Sequence, residues 1–176
     1  MNKKKKKGSG SASRMSGTRC PYCGSPIVLR SADGIYRDNK SNTMLYVCSK
    51  YPECDAYVRI REGSGNIPVG SLANGELRAL RIEAHRHFDR IHQTGLMSKQ
   101  EAYAWLSHIL ASPMAYAHIG QLGEYYCNVV IDESKRFLDN NRDKVSWMNA
   151  GAKPRRPVAG GEHYVAEYGA AAAGGR

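Results

Sequence analysis

Apolar positions along the chain follow two periods. Between residues 19 and 61 they form short runs, Ile27–Arg30, Ile35–Arg37, Met44–Val47 and Ala56–Ile60, rich in β-branched and aromatic residues. Asp33-Gly34 and Asn39–Asn42 separate them, so this stretch predicts short strands joined by tight reversals. Past residue 71 the period lengthens: Leu77, Leu80, Ala84, Phe88 and Ile91 step by three and four, which marks an amphipathic helix. Asn74 suits its N-cap and Gly95 its stop. Ser98-Lys-Gln-Glu101 reads as a capping box opening a second helix, which buries Ala102, Trp105, Leu106, Ile109 and Leu110. After a loop over Ser112–Gly123, a third helix runs from about Glu124 to Leu138, with Tyr126, Val129, Val130, Glu133 and Phe137 near one side. Strands followed by helices predict an α+β chain: a strand-built unit over 19–61, a linker or extended arm over 62–72, and a helical domain over 73–140. Neither end carries a period. Residues 1–18 are Lys-, Gly- and Ser-rich and 150–176 are Gly-, Ala- and Pro-rich, compositions that predict disorder.

Charge adds less than its total suggests. The formal net charge is +10, but residues 1–18 hold six Lys and Arg and no acid, whereas residues 19–149 hold 16 basic and 14 acidic residues. The basicity belongs to the ends, which suits loose, salt-sensitive contact with polyanions and does not prove a basic groove. No apolar run approaches the ~18 residues of a membrane span, and no apolar stretch follows the basic N-terminus as in a secretory signal. These features lead to the expectation of a cytoplasmic protein with no membrane contact.

Four of the five cysteines fall in two close pairs, Cys20-x2-Cys23 and Cys48-x5-Cys54, separated by 24 residues. Without an export signal, metal is the better reading than two disulfides. Zinc takes four tetrahedral ligands and is well served by thiolates. Pro21 and Gly24 suit a tight knuckle, and the intervening length suits a hairpin that returns the second pair to the first. The pattern predicts one structural zinc ion in a four-cysteine ribbon. A full set of sulfur ligands leaves no open coordination position, so this zinc folds the domain and does not catalyse.

Cys48-Ser-Lys-Tyr-Pro-Glu-Cys54, with Cys20-Pro-Tyr-Cys23-Gly, resembles the C-terminal zinc ribbons of bacterial type I DNA topoisomerases over residues 20–60. That resemblance implies single-stranded DNA binding with aromatic side chains stacked on bases, although the hairpin here is longer than is usual there. The residues allow the same use. Tyr22, Tyr51 and Tyr36 are candidate stacking groups, worth ~1–3 kcal/mol per base. Arg37, Lys50 and Arg59 are candidate phosphate contacts, among further basic residues such as Arg19. Against this, small zinc domains have little else to pack, so several tyrosines are equally suited to the core; Tyr22 and Tyr51, inside the knuckles, are the ones expected at the surface.

A second resemblance spans Cys20 to Phe137. Cys54-Asp-Ala-Tyr-Val58, Leu72-Ala-Asn-Gly-Glu-Leu-Arg-Ala-Leu-Arg81, Ala84-His85-Arg-His-Phe88-Asp89, Met97-Ser-Lys-Gln-Glu-Ala-Tyr103-Ala-Trp105-Leu106 and His118-Ile-Gly120 look like the zinc-finger-containing proteins of unknown function found in bacteriophages and bacterial genomes. It implies a phage or prophage source and an intracellular setting, and brings no activity.

Elsewhere the chemistry is thin. His85, Asp89 and His92 share a helical face, a spacing suited to a metal or a general base but more often to surface ion pairs. His118 and Cys127 could form a nucleophilic pair, although a loop histidine and a small core residue explain both. Arg78, Arg81, Arg86 and Arg90 make a basic face on the first helix, diluted by Glu76, Glu83 and Asp89; it suits lying along phosphates, but a solvated face is the expectation. The sequence therefore predicts a non-enzymatic nucleic-acid-binding protein for single-stranded DNA or RNA. The alternative is a protein-interaction adaptor docking on host or phage transcription or replication machinery.

Overall fold

The computed structural model describes Met15 and residues 17–144. The disorder expected of residues 1–14, 16 and 150–176 lies outside the described residues. The chain divides into two compact units, with the boundary between Leu72 and Ala73.

The first unit is a three-stranded antiparallel sheet in the order β1-β2-β3, with β1 Ile27–Ser31, β2 Met44–Cys48 and β3 Tyr57–Arg59. The register pairs Ile27 with Cys48, Leu29 with Tyr46 and Tyr46 with Val58, so these residues share one face. On that face Ile27, Tyr46, Cys48 and Val58 join Cys20, Ala56 and Leu72 in a small core, rimmed by Met15, Leu29, Ile60 and Val69. Central strand β2 is buried from Leu45 through Cys48. The Tyr46 hydroxyl donates to the Asn66 carbonyl at 2.9 Å, which gives a fully buried phenol its partner.

Two expectations change here, and one is narrowed. Ile35–Arg37 is not a strand. The N–H groups of Ile35 and Tyr36 both donate to the Ala32 carbonyl, Gly34 takes φ +75°, and Asn39 ties the loop by donating to Asp33 and accepting from the Thr43 N–H. Local turn chemistry outweighs the β propensity of three residues. Of the two readings of residues 62–72, a linker or an extended arm, the structure has the arm. Val69 N–H donates to Arg59, Arg61 N–H donates to Ile67, and Ile60 bridges Pro68, so this arm covers the outer edge of β3. Thr18 and Gly17, placed by sequence in the disordered tail, exchange backbone hydrogen bonds with Ile27.

The second unit is helical: α1 Gly75–Gln93, α2 Lys99–Ile109, a 3-10 turn at Ile119–Gln121, and α3 Glu124–Asn140. The caps are local and sequence-encoded. The Asn74 side chain accepts from the Leu77 N–H, and Ser98 with Glu101 forms the reciprocal capping box. Hydrogen bonds from Ser98 hold the Glu101 carboxyl below its ordinary pKa. Leu77, Ala84, Phe88 and Ile91 of α1 meet Ala102 and Leu106 of α2 and Cys127, Val130 and Ile131 of α3 in one core. Phe88 is at its centre, edge-on to Tyr103 and stacked with Trp105, which in turn touches Phe137.

Two helical faces differ from expectation. The inner line of α3 is Cys127, Val130, Ile131 and Ser134, and Tyr126 is exposed. The basic face of α1 is split. Arg86 and Arg90 are exposed, whereas Arg78 and Arg81 are buried. Arg78 donates to the Ala73 carbonyl, and Arg81 donates through Nε and Nη2 to the Leu122 carbonyl at 2.9 and 2.7 Å. The guanidinium of Arg81 thus ties the loop before α3 to α1, a use of charge that helical periodicity does not reveal. Among the described residues no helix is long and apolar enough to cross a membrane.

Candidate metal centre

Both cysteine pairs occupy turns whose backbone faces the sulfurs. In the first, Cys20 N–H donates to the Ser25 carbonyl and Gly24 N–H donates back to the Cys20 carbonyl. Gly24 takes φ +73°, a conformation that strains residues with a side chain. Arg19 reaches over this turn and donates to the Gly24 carbonyl at 3.1 Å. In the second, Cys48 ends β2, Tyr51 N–H donates to the Cys48 carbonyl, and Cys54 N–H donates to Lys50. The Tyr51–Pro52 peptide in this turn is cis.

The sulfurs accept hydrogen bonds in a repeating way. Cys23 accepts from Ser25, Cys48 from the Lys50 N–H and Cys54 from the Ala56 N–H, each donor two residues past its cysteine. Ser25 contributes both its side chain and its backbone N–H, which lowers the Cys23 thiol to about 6. Burial acts oppositely on Cys48, whose thiol is raised, and on Cys54, whose thiol is pushed up to about 12. Crowded and partly desolvated sulfurs resist carrying negative charge together unless a cation compensates them.

The geometry fits such a cation. The four sulfurs lie within 4.8 Å of one another. Cys20 Sγ and Cys54 Sγ are 3.7 Å apart, and Cys23 Sγ and Cys48 Sγ are 3.3 Å apart. A tetrahedral zinc ion with ~2.3 Å bonds sets its sulfurs ~3.8 Å apart, so small adjustments of these side chains complete the site. Zinc bound by Cys20, Cys23, Cys48 and Cys54 would act as a crosslink between the two knuckles.

The residues predicted around this centre separate into two groups. Tyr22 is exposed at 41%, and Lys50 and Arg37 are exposed. Tyr51 and Arg59 are half-buried. Tyr36 is 8% exposed and packs edge-on against Tyr57, with ring centroids 6.1 Å apart. This burial leaves little of its ring for a base, so it packs in the core of the unit and is a poor stacking group, contrary to its expected role. Sequence reading passed over Ser25, whose only signal is its place two residues after Cys23.

The other candidate chemistry is not assembled into a comparable site. Among the described residues the four cysteines are the one group of three or more His, Cys, Asp or Glu placed to share a metal. Burial lowers the His85 pKa, against the opposing pull of Asp89. Cys127 is fully buried in the helical core with its thiol raised by burial, while His118 is exposed.

A small antiparallel sheet whose two cysteine knuckles converge on one four-sulfur set defines a zinc ribbon with a structural metal centre. Residues 16–137 match the family described as zinc-finger-containing domain, and the chain belongs to that family. The match spans the ribbon and most of the helical unit, so both are parts of one family domain. No curated protein matches the chain, and no solved structure matches it.

Proposed function

We propose that the ribbon is a non-catalytic module for single-stranded DNA or RNA, acting in the cytoplasm of a bacterial cell on behalf of a phage or prophage. The observation that carries this reading is Tyr22. It is exposed on the first knuckle, while Tyr36, Tyr46 and Tyr57 of the same unit are buried. An exposed aromatic on a rigid turn loses little freedom when a base stacks on it. Exposed Arg37 and Lys50 can supply phosphate contacts, with Tyr51 and Arg59 secondary because they are half-buried. The likeness of both knuckles to topoisomerase ribbons supports the same use. The four-sulfur set supports a role without catalysis, since it offers no open metal position.

Anisotropy titrations of the zinc-loaded chain with labelled single-stranded DNA, duplex DNA and RNA across a salt series test this. Tyr22→Ala should weaken single-strand binding about 5- to 150-fold, the equivalent of one lost stack. Tyr36→Phe should leave binding unchanged. Deleting residues 1–14 should lower affinity without abolishing it. Binding that disappears with those residues, or that ignores Tyr22→Ala, would reject the reading.

One observation favours the alternative, an adaptor docking on host or phage transcription or replication machinery. Tyr116 and Tyr125 of the helical unit are 72% and 73% exposed, and Tyr125 touches Tyr126 at 5.2 Å. Exposed aromatics of this kind often anchor protein interfaces. A protein partner that survives nuclease treatment and is lost in Tyr125→Ala would favour this role.

A further inference from the structure

The four zinc ligands are not equally accessible. Cys20 and Cys48 are buried at 2% and 1% exposure, and Cys54 is half-buried. Cys23 is exposed, and so are its neighbours Tyr22 and Gly24. A zinc-bound thiolate keeps nucleophilic lone pairs, and the approach of a small oxidant to sulfur governs which ligand reacts first. Burial obstructs that approach at Cys20 and Cys48. Beside the accessible sulfur is a resolving one, Cys48 Sγ, at 3.3 Å. The fifth cysteine, Cys127, is fully buried in the other unit's core.

We propose that Cys23 is an oxidative modification site through which peroxides open the zinc centre. The Cys23 thiolate attacks one peroxide oxygen; an S–O bond forms, the O–O bond breaks and hydroxide leaves. The Cys48 thiolate then attacks the sulfenic sulfur; an S–S bond forms, the S–O bond breaks and a second hydroxide leaves. Two thiolates lose two electrons in all, and one peroxide is reduced to two hydroxides, which water protonates. The centre, reduced to two free sulfurs, no longer retains zinc, and the ribbon loses its crosslink. A thiol reductant with added zinc reverses the change, because a disulfide is on the reversible part of the oxidation ladder.

The test adds hydrogen peroxide to the full zinc-loaded chain. Zinc release is followed with a chromogenic chelator, and modified cysteines are mapped by differential alkylation and mass spectrometry. Zinc release should keep pace with a Cys23–Cys48 disulfide, and Cys127 should stay reduced. Cys23→His, which keeps a nitrogen ligand for zinc, should slow release several-fold, whereas Cys54→His should not. Equal release from Cys23→His and the unaltered chain would overturn the proposal. Mapping at substoichiometric peroxide needs no variant and decides the matter even if Cys23→His fails to fold. A first disulfide that joins Cys23 to Cys48, with dimedone trapping the preceding sulfenic acid on Cys23, supports the proposal; sulfenic acid trapped first on Cys20, Cys48 or Cys54 refutes it.

Discussion

Withdrawing zinc with a strong chelator should unfold the ribbon and leave most of the helical circular dichroism in place. The ribbon's core is a short cluster around Ile27, Tyr46, Cys48 and Val58, and its β3 strand is three residues long. So little apolar burial does not by itself offset the ordering of more than fifty residues. Structural zinc contributes ~10–16 kcal/mol in small zinc domains, as much as the whole stability of an ordinary domain. Withdrawal also leaves sulfurs that resist joint ionisation, since burial raises the thiols of Cys48 and Cys54. The helical unit has a separate core, built around Phe88, Leu106 and Val130, and among the described residues no group placed to share a metal lies in it. Hydrogen exchange checks the expectation: the β2 amides of Leu45 to Cys48 should lose protection while those of α1 keep theirs. Protection of β2 without zinc would show that the sheet stands on its own contacts.

Phe88→Ala should cost the helical unit ~3–5 kcal/mol, the usual range for emptying a buried aromatic position. Phe88 is 1% exposed and contacts Tyr103 and Trp105 at centroid distances of 5.2 and 6.5 Å. Its removal leaves a cavity lined by side chains from α1 and α2 that cannot collapse without moving a helix. Denaturant titration followed by helical circular dichroism measures the loss, and Trp105 fluorescence should shift because its stacked partner has gone. A cost below ~1 kcal/mol would mean that neighbouring side chains refill the space.

What could be read before the fold was known follows the range of each interaction. The Asn74 cap, the Ser98–Glu101 capping box and the two cysteine knuckles involve residues within a few positions of one another. Each of these was legible as a short pattern. The period of α1 also sufficed to name Leu77, Ala84, Phe88 and Ile91 as its buried side. Interactions between distant positions were hidden. Arg81 looks like part of a solvated basic face, and its burial depends on the Leu122 carbonyl, 41 residues away. Tyr36 looks like any other tyrosine of the ribbon until Tyr57 closes against its ring. The Ile35–Arg37 error is of another kind: propensity favoured a strand, but hydrogen bonds to Ala32 made a turn. At the metal centre the ligands were legible and their unequal exposure was not, because exposure is a property of how the knuckles pack.

The central claim is that Cys20, Cys23, Cys48 and Cys54 together hold one zinc ion. X-ray absorption at the zinc edge, with metal content measured on the same full-length sample, tests it most directly. The structure predicts one zinc per chain surrounded by four sulfurs at ~2.3 Å. Nitrogen or oxygen in the first coordination sphere, or zinc well below one per chain after loading, would contradict it.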